Sequence, residues 1–108
     1  ARIITAREIH AQGVGDAFAA GPEGAKVVIT LDCDGLDPSV MPAVAARVPG
    51  GLTYWHVMDI FDALSERFRI VGGDIVEIAP DRDVDGIGML TGVRLVSTAA
   101  AAMARSRG

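Results

Sequence analysis

The stretch KVVITLDCDGLDPS, residues 26–39, decides how this chain is read. Its first half, Lys26 to Asp32, is an almost unbroken apolar run with three apolar β-branched residues, Val27, Val28 and Ile29, in a row. That is how a strand buried on both faces reads, and such strands belong to parallel sheets. Its second half sets Asp32, Asp34 and Asp37 within six positions at the strand's carboxyl end. In open parallel sheets, ligand sites form just beyond those ends.

Working outward, RII at 2–4 suggests a short strand, and Thr5 with Glu8 three residues later is a capping-box pattern. Ile9, Val14 and Phe18 then fall on one helical face, predicting a helix over about 5–19 with an interruption near Gly13. GPEG at 21–24 breaks the chain before the central strand. After it comes a long irregular segment with Pro38, Pro42, Pro49 and the pair Gly50-Gly51. A loop of that length in a compact domain is usually functional.

Thr53 offers an N-cap for YWHVMDIFDALSERFR, whose Val57, Ile60, Phe61 and Leu64 keep helical spacing. IVGGDIVEIAP, 70–80, reads as a strand ended by Pro80, and DRDVDG as a turn. A closing helix follows from Ile87, with Arg105 and Arg107 suited to its negative end. The order is β-α-β-α-β-α, so one α/β domain over 1–108 with a parallel sheet is expected. Right-handed crossovers stepping in one direction place successive helices on one face. Either the strand order reverses, then, or another polypeptide covers the open face and an edge.

Composition removes several function classes. A net charge of −4 without a basic run gives no footprint for nucleic acid, and no uncharged run reaches the roughly 18 residues of a membrane span. The single cysteine, Cys33, allows no internal disulfide, and no secretory leader pattern is visible. A reducing cytoplasm is the expected compartment. The opening ARII lacks Met and is already apolar, as though part of something larger came before it.

The acids carry the chemistry. Strand periodicity points Asp32 and Asp34 to one side and Cys33 to the other. Two carboxylates so close either share a divalent cation or push one another toward protonation. The plainer alternative is that Asp32 caps a loop and Asp37-Pro38 opens a turn. Glu77, near the end of the next strand, faces the same rim if the two strands are neighbours. It could be a metal ligand, a general base, a fork for a cationic substrate, or an exposed strand-end residue.

Asp81, Asp83, Asp85 and Gly86 imitate the start of a calcium loop, but Gly92 stands where the loop needs a bidentate acid. His10 and His56 read as surface residues, with His56 able to approach the rim. Cys33 reads as a small buried hydrophobe.

Taken together, ITLDCDGLDPS, PGGLTY and VEIAP resemble the C-terminal portion of the ureohydrolases, the family of arginases and agmatinases, with agmatinase-like members nearest. The resemblance implies a three-layer α/β/α sandwich. It also implies hydrolysis of a guanidino compound to an amine and urea at two Mn²⁺ ions. By position, Asp32 and Asp34 match the family's last pair of metal-binding aspartates, Glu77 the glutamate that pairs with guanidinium, and Thr53 a threonine lining that pocket.

The family's other metal motifs, Gly-Gly-Asp-His-Ser and Asp-Ala-His-x-Asp, do not occur in this sequence. His56 stands where the family's helix start usually has Glu, and Ala79 where Asn is common. The expectation is a chain that supplies half a dimanganese site, is inactive alone, and needs a complementary N-terminal polypeptide. The alternative is a non-catalytic relative serving as a homo-oligomer or binding module. No nucleic acid or membrane partner is expected in either case.

Overall fold

The structure, a computed structural model, describes residues 2–107. The elements run α1 (Ala6–Gln12), β1 (Lys26–Asp32), a short 3₁₀ turn (Cys33–Gly35), α2 (Tyr54–Arg67), β2 (Arg69–Val76), a second 3₁₀ turn (Pro80–Arg82) and α3 (Ile87–Ser106). β1 and β2 pair in parallel, from Lys26 opposite Arg69 to Asp32 opposite Val76. A parallel pair requires a crossover rather than a hairpin, and the segment from Cys33 through α2 provides it.

The α/β class and the parallel pairing are as expected, but among the described residues the strand count is two. Residues 2–4 form no strand, and Ile3 is 84% exposed. Thr5 begins capping α1 immediately afterwards, accepting the Glu8 N–H, so little chain is left to build a ladder. α1 stops at Gly13, the expected interruption, and does not resume as a helix. The second strand ends at Val76 rather than 80, because Glu77 turns to a positive φ of 68° and leaves the ladder.

β1 is half-buried on one face and exposed on the other. Val27, Ile29 and Leu31 pack against the core, while Val28 is 68% exposed. α2 and α3 pack against each other and both rest on β2. The core gathers Val57 and Phe61 from α2, Leu95 and Ala102 from α3, and Ile70 from β2. Each of these except the small Ala102 contributes roughly 1.5–3 kcal/mol on leaving water. These two helices therefore make one layer, and the opposite sheet face presents Val28 and Val71.

Two close fits set the frame. At Gly73 an added Cβ would lie 2.6 Å from the Ile29 carbonyl oxygen, so only glycine lets the strands pair there. The irregular crossover is also more structural than its sequence suggests. Met41, Pro42, Ala43 and Val44 are buried, and the Ala43 carbonyl accepts the Ala79 N–H at 2.7 Å.

α3 is seated at both ends and in its middle. Asp83 accepts the N–H groups of Gly88 and Met89 at its start, and Thr91 donates to the Val40 carbonyl. Ser106 accepts the Ile70 N–H at the other end. DRDVDG is thus a helix-entry turn. By length and composition α3 could cross a membrane, but Arg94 interrupts it and its Leu95 and Ala102 side is committed to the core.

Candidate functional site

The rim at the carboxyl ends of β1 and β2 follows from their register. Asp32 lies opposite Val76, so Glu77, one residue further, arrives beside the start of the DCDG turn. Asp32 caps that turn, its Oδ1 accepting the Asp34 N–H at 3.4 Å. Cys33 points inward and is fully buried, whereas Asp32 is exposed and Asp34 half-buried. The alternation expected from strand spacing therefore continues into the turn. Asp32 serves both readings at once, as a loop cap and as half of a carboxylate pair.

Electrostatics tie the three acids together. The Asp34 carboxyl is held above its usual range, first by hydrogen bonding with Asp32, then by burial, then by the negative charges of Asp32 and Glu77. Glu77 is thus close enough to bear on Asp34. Its left-handed backbone costs on the order of 1 kcal/mol in a non-glycine residue, and such strain gathers at functional positions. Burial, reinforced by Asp32 and Asp34, pushes the Cys33 thiol up to about 11. That keeps it protonated, as suits a packed thiol rather than a nucleophile.

Asp37 belongs to the scaffold. Its Oδ2 accepts the Ser39 hydroxyl and N–H, and its Oδ1 accepts the Gly50 N–H at 2.9 Å. The Ser39 hydroxyl, the Ser39 N–H and the Gly50 N–H together draw its carboxyl below the usual range against the opposing effect of burial. Asp37 thereby ties the DCDG turn to the PGGLT loop. Leu36 and Leu52 form a parallel bridge, and an added Cβ on Gly51 would meet Asp37 N and Leu36 C at 2.6 Å. The glycine lets 51–53 run against 35–37.

Thr53 follows that bridge and caps α2. Its Oγ1 accepts the His56 N–H, and its own N–H is accepted by His56 Nδ1. The Thr53 hydroxyl proton remains available to a ligand. The structure thus gathers Asp32, Asp34 and Glu77 on one rim and places Thr53 on the loop latched to the neighbouring turn.

His10 is exposed, as its reading as a surface residue expects, and His56 is half-buried; what the sequence did not show is that the two meet. His10 reaches the Gly51 carbonyl at 2.7 Å, and its ring meets that of His56 edge to face with centroids 4.8 Å apart. The available signal was the T-x-x-H spacing at 53–56, which puts His where a capping box has Glu or Gln.

As a metal centre the rim is partial. Oxygen donors such as Asp32 and Asp34 suit a hard divalent ion, and a cation would relieve the crowding that raises Asp34. Among the described residues, no three His, Cys, Asp or Glu side chains are arranged to hold a metal ion. The donor chemistry fits, and the donor count falls short.

Comparison with known proteins gives a consistent picture. The model of the arginase family matches residues 1–102. The chain is 39% identical over 79 residues to the N(1)-aminopropylagmatine ureohydrolase of Thermus thermophilus, covering 73% of this chain and 27% of that protein. It is 44% identical over 85 residues to the mitochondrial arginase of Medicago truncatula, covering 77% and 25%. It superposes on the agmatine ureohydrolase of Thermoplasma volcanium with a TM-score of 0.81 and 28% identity, covering 94% of this chain and 34% of that one. The chain spans about a quarter of the length of these two curated relatives.

Proposed function

The chain belongs to the arginase family, and on that premise we propose that it contributes the Asp32/Asp34 half of a dimanganese site and the guanidinium-recognising edge of a ureohydrolase. One observation carries this reading: the strand register and Glu77's departure from the ladder set three carboxylates on one rim and leave Asp34 short of compensating charge. Such crowding is costly in a bare protein and useful around a cation.

The roles follow from the side chains. Asp32 and Asp34 would hold the metal through their carboxylate oxygens. Glu77 offers two oxygens in the plane a guanidinium needs for paired hydrogen bonds. Thr53 keeps one hydroxyl proton for the bound substrate, because its oxygen is already aligned by the His56 N–H. Buried Cys33 backs the rim without reacting. When bound, manganese supplies Lewis acidity and lowers the pKa of water. Guanidino chemistry is supported by relatives named for agmatine and its aminopropyl derivative.

The remaining metal ligands come from a polypeptide segment carrying the family's two His-containing motifs, which this sequence lacks. The 108 residues alone therefore release no urea. Mixing the chain with a polypeptide that carries those motifs should give Mn²⁺-dependent urea release from agmatine or arginine. Stable complex formation without turnover would sink this reading. It would favour a second one, a non-catalytic binding or oligomerising module, for which the exposed sheet face at Val28 and Val71 is the motivating observation.

A further inference from the structure

The loop that ends at Thr53 is held by two histidines that take no part in the metal or guanidinium contacts proposed above. Bond direction fixes their protonation. A backbone N–H only donates, so His56 Nδ1, accepting from Thr53 N at 3.1 Å, carries a lone pair. A carbonyl oxygen only accepts, so His10 Nε2, 2.7 Å from Gly51 O, carries a hydrogen. The loop is thus gripped at Gly51 from α1 and at Thr53 from α2, and the two rings touch at 89°.

We propose that His10 and His56 form a paired positioning device for Gly51–Thr53, in which the His56 tether on the Thr53 N–H holds while His56 is neutral and is lost when His56 takes a proton. The step is a simple transfer: a solvent proton binds His56 Nδ1, and the Thr53 N–H loses its acceptor and turns to water. A capping-box Glu would keep its acceptor oxygens through neutral pH, whereas histidine changes charge between pH 5 and 8. Two imidazolium rings in contact also repel.

No carboxylate pairs directly with either ring. Among the described residues the one ion pair is Arg105–Asp62, so no carboxylate lies within salt-bridge distance of either ring. Arg7 and Glu8 on α1, and Tyr54 and Asp59 on α2, make no hydrogen bond to the rings. Asp37 in the loop is engaged by Ser39 and Gly50. The Thr53 tether is therefore pH-dependent while Leu52 and Gly50 stay latched to the neighbouring turn, and on the ureohydrolase reading the placing of Thr53 against substrate depends on pH as well.

The test needs neither metal nor substrate, so its failure is separate from failure of that reading. Amide NMR of the chain is followed from pH 8 to pH 5, tracking the Thr53 and Gly51 resonances and their hydrogen-exchange protection relative to intrinsic rates. In the unmodified chain the Thr53 amide should shift with the same midpoint as the His56 ring, and its protection should fall at least tenfold, the scale of one lost bond. In His56→Gln, which keeps an acceptor that does not titrate, both should stay flat. In His10→Gln, which keeps a donor for Gly51, the Thr53 amide should still follow the His56 ring, because the Nδ1 acceptor is intact. A flat Thr53 amide in the unmodified chain, the same titration in His56→Gln, or a Thr53 amide that no longer follows the His56 ring in His10→Gln would each overturn the proposal.

Discussion

The two ends of the β1–β2 pair meet the same electrostatic problem and resolve it differently. At the amino end Lys26 lies opposite Arg69, two like charges on paired strands, and both are exposed. Water screens each, and the backbone beside them is satisfied by ordinary means, Ser106 accepting the Ile70 N–H and Ala25 accepting the Arg69 N–H. At the carboxyl end Asp32, Asp34 and Glu77 gather with Asp34 half-buried, and Asp34 responds by holding its proton more tightly. Like charges at a strand end are thus tolerable when solvated. Crowding them beside a buried turn is a separate feature, and it is the one on which the proposed cation site rests.

The largest expected effect lies in the apolar layer that supports both ends. Ile70→Ala should lower unfolding free energy by about 3 kcal/mol, since Ile70 is 2% exposed in the core cluster. Chemical denaturation measures this, and a loss under about 1 kcal/mol would mean the two helices do not anchor the sheet. Next is the latch of the carboxyl end. Gly51→Ala forces a Cβ against the Leu36–Asp37 backbone and should cost about 2 kcal/mol in the same experiment. A neutral result would separate the loop from the DCDG turn and remove the distinction between the ends.

Charge changes should be smaller and of opposite sign. Because Asp34 holds its proton more tightly when folded, it favours folding at low pH, and that contribution is lost as pH rises through its elevated range. Asp34→Asn should therefore remove a decline in stability above the ordinary carboxylate range. Asp37 and Asp83 behave in the reverse sense. Ser39 and Gly50 lower Asp37; for Asp83 burial pushes upward, but the Met89, Gly88 and Val84 N–H groups and Arg47 bring it below the usual range. Their stabilisation is present above the ordinary carboxylate range and is lost as pH falls through their lowered values. Stability curves of Asp34→Asn and Asp83→Asn against pH should diverge from the parent chain in opposite directions; parallel curves would contradict the assignment.

The smallest effect belongs to the exposed Arg105–Asp62 pair, at 3.0 Å and with side chains 51% and 63% exposed. Arg105→Ala should change stability by no more than about 0.5 kcal/mol. A larger loss in chemical denaturation would place that pair among the supports of the apolar layer.

Much of this was legible in the sequence where local chemistry decides. β1 has the bounds its apolar run implies, and α2 begins after Thr53 because the hydroxyl caps it. Asp32, Asp34 and Glu77 could be placed on one rim once parallel strands were assumed. What escaped depends on contacts distant in sequence. Ile3 offered a strand's composition but found no paired neighbour. Met41 to Val44 looked like loop and became core because Ala79 and α3 pack there. Val28 looked buried because an apolar run does not say which face is covered. The His10 link to Gly51 joins residues 41 apart, which no local pattern encodes.

The most direct measurement of the central claim is Mn²⁺ titration of the chain by electron paramagnetic resonance, in which the ion's free signal falls as it binds. The parent chain should take up Mn²⁺, Lys26→Gln at the opposite strand end should do so equally, and Asp32→Asn with Asp34→Asn should leave the free signal intact. Equal uptake by the double Asn variant would contradict the assignment of the carboxyl-end rim as half of a metal site.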